Sequence, residues 1–123
     1  MVEERGDVGF DYTSRLEKEA LQLSPSDYKS RVFPRRTISI FRDPDKHGGE
    51  VSPYVIRIDP SPDSRTISVY GVRSEEGRNL ASKIMEALNS LDSDLGNGKP
   101  LYAPFRLAEE VEIADRGDPV YAE

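Results

Sequence analysis

The stretch FRDPDKHGGEVSPY, from Phe41 to Tyr54, gathers Asp43, Asp45, Glu50 and the only histidine of the chain, His47. Carboxylates and an imidazole this close together are the donors a divalent cation takes. From Asp43 the acids hold the first and third positions of a loop and Gly48 the sixth, as at the opening of an EF-hand, where alternate oxygens ligate and a glycine permits the sharp turn. The pattern then stops. Its twelfth position, reserved there for a bidentate glutamate, is Tyr54, with Pro53 before it. A transition-metal set built on His47 with Asp43, Asp45 or Glu50 has one imidazole and no thiolate, a poor set for zinc. Glycine and proline in a polar stretch between two apolar runs read first as a strand-to-strand turn. A second acidic stretch, DSDLGNGK from Asp92, reads as a solvated helix end with glycine stop signals, with calcium as its alternative.

Catalytic patterns are sparse. There are no cysteines, which removes disulfides, thiolate metal sites and a cysteine nucleophile together. With one histidine among thirteen serines, no Ser-His-acid arrangement is singled out. Gly71 and Gly77 are too few and wrongly placed for a phosphate-cradling loop. The expectation is a protein that is not an enzyme and carries no cofactor. A small enzyme or metal- or ligand-binding protein using the His47 loop is the third reading.

The basic segment KSRVFPRRTISIFR is the better candidate surface. It holds Lys29, Arg31, Arg35, Arg36 and Arg42 with no acid, a charge of +5 inside a chain of net charge −6. These cations alternate with Val32, Phe33 and Phe41, as a contact with an acidic protein or with nucleic acid requires. The bland alternative is that the arginines flank an edge strand and discourage aggregation. A further one is that the acidic C-terminal tail lies across the patch. Tyr102 and Phe105 are candidate anchors for a partner, because buried aromatic side chains dominate interface energies. Equally, they can fold back onto the core of their own domain.

The elements that must carry these residues follow from periodicity. Leu16, Ala20 and Leu23 share a face of a helix from Tyr12 to Leu23, with Thr13 or Ser14 as cap and Pro25 as stop. Period-two alternation predicts strands over 36–42, 53–59 and 65–73, the last two joined as a hairpin through PSPDS. Leu80, Ile84, Leu88 and Leu91 line a longer helix over 74–91, with Ser74 as its cap and Glu75 and Glu76 at the positive end of its dipole. The run LAEEVEIAD, from Leu107, fits an edge strand or a short helix. The domain plan is an N-terminal arm over 1–11, one α+β domain over 12–96 and an acidic C-terminal arm over 97–123. The domain should hold a three- or four-stranded, mainly antiparallel sheet with helix 74–91 on one face.

The run ISVYGVRSEEGRNLASKIMEAL, with the preceding YVIRIDPSP, resembles part of a TATA-binding-protein repeat over about a quarter of the chain. That family has two repeats and wedges paired phenylalanines between bases, which this sequence lacks. The same strand and Glu-, Ala- and Leu-rich helix are similar to a peptidoglycan-binding SPOR domain. No residue role is carried over from either.

The acidic start MVEERGDVGF lacks the basic and apolar regions of a secretion signal, and no apolar run reaches the roughly 18–20 residues that span a bilayer. The expected location is cytoplasmic, away from membranes. The leading reading is a non-enzymatic adaptor or regulatory module that meets another protein, or a second copy of itself, through a sheet edge, the basic segment and the C-terminal arm. Nucleic-acid binding through 29–42 is the alternative.

Overall fold

The computed structural model describes residues 10–34, 36–46, 48, 52–71, 73–99 and 102–108. Arg35, His47, Glu50 and most of LAEEVEIAD lie outside them, as do residues 1–9 and 109–123 of the expected arms. The order is α1 (Phe10–Leu23), β1 (Tyr28–Val32), β2 (Ile38–Arg42), β3 (Val55–Asp59), β4 (Thr66–Tyr70), α2 (Ser74–Leu95) and β5 (Arg106–Leu107). The strands form one sheet in the order β1-β2-β3-β4-β5. The first four run antiparallel to their neighbours, and β5 lies parallel to β4. The fold is therefore α+β, but with five strands in a mixed sheet rather than three or four mainly antiparallel ones, and with both expected helices rather than one packed on its face.

The added strands explain themselves. β1 and β2 form a tight hairpin: the Phe33 carbonyl accepts from the Arg36 N–H at 2.9 Å, and the Phe33 N–H donates to Thr37 at 2.8 Å. Pro34 suits the second position of such a turn, and Arg36 takes the left-handed conformation (φ 65°) that usually falls to glycine. β5 is only two residues long. It is parallel because α2 carries the chain back across the sheet before the strand begins.

α1 starts at Phe10, so Thr13 is a buried interior residue and neither Thr13 nor Ser14 caps the helix. Pro25 then ends it, as expected, with the Ser24 hydroxyl turned back to the Ala20 carbonyl at 3.0 Å. Likewise Arg73, not Ser74, holds the N-cap position of α2. α2 runs to Leu95, one turn beyond the predicted end, and closes through left-handed Asn97 with the Gly98 N–H on the Ser93 carbonyl at 2.8 Å.

Both helices pack on the same face of the sheet. Leu16 and Ala20 from α1 and Ala81, Ile84 and Leu88 from α2 meet Ile38, Ile40, Ile56, Ile58, Ile67 and Val69. Gly77 sets the closeness of α2, because a Cβ there would come within 2.5 Å of the Val69 side chain. Among the described residues no helix is long and apolar enough to cross a membrane.

Candidate functional site

Alternation places every second strand residue on the face away from the helices. The register brings Lys29, Phe41, Val55 and Tyr70 into one row across four strands. Arg31, Ser39, Arg57 and Ser68 form the next. Phe33, one step past the end of β1, lies between two cations: the Arg31 guanidinium sits 4.9 Å and that of Arg57 5.8 Å from its ring centre. Lys29 reaches over Phe41 at 5.8 Å while pairing with Asp43 at 3.6 Å. Such cation–aromatic contacts are worth about 0.5–1 kcal/mol where water has access. At the far edge Arg106 stands in register with Thr66.

The basic segment thus divides. Lys29, Arg31 and Phe33 belong to the helix-free face. Arg36 is on the hairpin turn, and Arg42 faces the helix side, in register with Tyr28. Arg57 and Arg106 join the face from strands the charge count along the chain did not connect. The signal for Arg57 was available: it stands out of phase with Ile56 and Ile58, hence on the opposite side.

Tyr102 and Phe105 are elsewhere, and take the fold-back alternative. They flank Arg65, whose guanidinium lies 4.0 Å from the Phe105 ring centre and 4.7 Å from that of Tyr102. Arg65 precedes β4 in a left-handed conformation (φ 49°) and is 2% exposed. It donates through Nε to the Ala103 carbonyl, through one terminal nitrogen to the Pro60 carbonyl (both 2.9 Å), and through the other to the Tyr12 hydroxyl (3.0 Å) and the Asp92 carboxylate. The Tyr12 hydroxyl in turn donates to Asp92. Burial first, and then this hydrogen bond, hold Tyr12 well above the ordinary tyrosine range, so it stays a proton donor.

Asp92 is therefore not a solvated helix end, nor an open calcium ligand. It is 1% exposed, inside α2, and bonded to Arg65 and Tyr12. Its position carried a clue: 81, 84, 88 and 92 continue one helical stripe, so an acid follows three apolar residues inward. The Arg65 cluster is closed and satisfied, and it acts as a fastening between both helices, β4 and the 102–105 segment.

The opening stretch connects β2 to β3 through a short 3-10 turn, Pro44–Lys46. The Asp43 carboxylate accepts from the Asp45 backbone at 3.0 Å and pairs with Lys29, which are turn-forming duties. Among the described residues no three His, Asp or Glu side chains gather as a metal site. A surface depression lined by Arg15, Lys18, Glu19, Gln22 and Leu91 mixes both charges and offers no matched set of groups. No protein-family model, curated protein or solved structure matches the chain, so the likenesses to a TATA-binding-protein repeat and a SPOR domain rest on the quoted residues alone.

Proposed function

We propose that this chain is a non-enzymatic protein-interaction module, and that the helix-free face of its sheet receives an acidic segment of a partner protein. One observation carries the reading: Lys29, Arg31 and Arg57 are set on or beside Phe41 and Phe33 across three neighbouring strands. Carboxylates gain from guanidinium forks there, and the half-buried Phe41 ring supplies apolar area at low entropic cost, while the buried Phe33 ring holds the two arginines in place. Tagged protein used as bait in native lysate, with and without nuclease, tests it against a bait carrying Arg31→Glu and Arg57→Glu. The expected outcome is a nuclease-resistant protein that the double variant fails to hold. Equal capture by both baits would sink the reading.

Single-stranded nucleic acid is the second reading, favoured by the half-buried Phe41 ring beside Lys29, since bases stack on sheet aromatics flanked by cations. Its mark is binding that weakens steeply with salt, as displaced counterions require. Capture abolished by nuclease would put it first.

A further inference from the structure

We propose that the acidic segment of the partner adds to the sheet as an antiparallel strand along the outer edge of β1. This rests on the reading above and names the strand that receives the segment. The middle of the helix-free face is closed, with Ser39 and Ser68 0% exposed and Phe33 4%. Its margin along β1 is open, because Arg31 is exposed and the Lys29 side chain is 45% exposed. β1 is the first strand of the sheet, so one of its edges lies against β2 and the other against no described strand. The bonds at either end of the hairpin fix which groups look outward. The Phe33 N–H donates to the Thr37 carbonyl, and the Asp43 N–H to the Asp27 carbonyl. In the same register Lys29 faces Phe41 and Arg31 faces Ser39, so by alternation these pairs exchange the ladder bonds with β2. Tyr28, Ser30 and Val32 therefore turn their backbone groups away from β2. The Tyr28 N–H is taken by the Pro25 carbonyl at 3.0 Å, whereas the Ser30 and Val32 N–H groups meet no acceptor among the described residues. An extended chain laid along this edge satisfies both donors and the carbonyls beside them, as in other peptides captured by a sheet edge.

The side chains of β1 select what fits. In an antiparallel addition the residues opposite Lys29 and Arg31 form the pairs without ladder bonds, where side chains stand closest. Carboxylates belong there. The residues between them point to the helix side, where Glu17 accepts from the Ser30 hydroxyl at 2.6 Å and Val32 packs against the core. A third carboxylate would be repelled beside Glu17, whereas valine or threonine suits a pleated, half-covered surface. The segment therefore alternates an acid with a small β-branched residue. A second copy of this chain is a poor occupant. Turned antiparallel about Ser30, it sets Lys29 against Arg31 on both sides of the junction, and like charges directly opposite destabilise a ladder.

The probe is a short synthetic peptide alternating glutamate with threonine, added to the full, unaltered chain while amide exchange at Ser30 and Val32 is followed by NMR. Two N-methylated forms of the peptide decide the mode of binding. Methylation of the threonine nitrogens removes the donors that face β1, and methylation of the glutamate nitrogens removes those that face away, with the charge unchanged in both. The expected result is exchange slowed by about tenfold or more by the parent and glutamate-methylated peptides, and unaltered by the threonine-methylated one. Equal slowing by both methylated forms, or none by any peptide, overturns the proposal. Shifts at Arg31 and Arg57 without slowing overturn the added strand and leave acidic docking standing. Slowing by the phase-matched peptides without a partner captured from lysate supports the added strand and counts against the interaction reading. Slowing that appears without peptide as protein concentration rises assigns the edge to a second copy and overturns the proposal.

Discussion

Among the described residues arginine stacks on phenylalanine at two places, Arg65 on Phe105 and Arg31 on Phe33, with guanidinium-to-ring distances of 4.0 and 4.9 Å. The residue types are the same and the physics is not. Arg65 is shut off from water, and each of its nitrogens is engaged by a carbonyl, a hydroxyl or a carboxylate. Arg31 is exposed at an edge strand, steadied by a ring. A buried guanidinium must be satisfied internally or the fold suffers, so the first pair is a fastening. The second pair leaves its guanidinium donors open to water. Charge content along the chain does not separate these two cases; the accessibility of the donors does.

The sharpest way to break the first pair is Asp92→Ala, which strands a buried cation. The expected loss is about 3–5 kcal/mol, read from the urea midpoint. A variant within 1 kcal/mol of the parent, on the order of a surface change, would remove Arg65 from the role of fastening. Next comes Tyr12→Phe, which takes one donor from the carboxylate and should cost about 1–3 kcal/mol. The same hydroxyl gives an alkaline signature. Its folded value is raised, so its contribution is whole below the unfolded tyrosine value of about 10 and is lost as pH rises above it. The gap between parent and Tyr12→Phe should therefore narrow above that pH; a constant gap would show that the hydroxyl is not protected.

Arg31→Glu with Arg57→Glu sharpens the second half of the contrast. Stability should move by less than about 1 kcal/mol, because neither charge is sealed in, while partner capture is lost. An unfolded double variant would show that the face is also structural. The smallest effect is expected at Arg36→Gly on the hairpin turn. A left-handed arginine is strained by about 1–2 kcal/mol, and glycine returns part of that relief as unfolded-state freedom. The net gain should be about 0.5 kcal/mol by thermal melting, and a loss would mean that the Arg36 side chain contributes more than its backbone costs.

The same contrast explains what the sequence revealed. β2, β3 and β4 and the stripe of α2 were legible because one-sided burial writes itself as period two or period 3.6. β1 was not, since Arg36 stands where a glycine would announce such a hairpin, and the strand's outward residues read as a basic surface segment without a strand of its own. β5 is too short to show a period. Arg57 was readable from its phase in β3, but not its meeting with Phe33, which needs the register of three strands. The fastening was hidden more deeply: Arg65 and Asp92 each resemble surface residues until the chain brings them together.

That fastening also constrains how the protein is made. Arg65 takes partners 53, 27 and 38 positions away, and Tyr12 meets Asp92 across 80. Contacts so distant in sequence form late and slowly, because loop closure comes before their reward. A nascent chain halted anywhere before Ala103 has a guanidinium with its cavity half built, whatever strands have already paired. The domain therefore locks only once the chain through Phe105 has emerged, and products truncated before that point should be recognised by chaperones or proteases as unfinished.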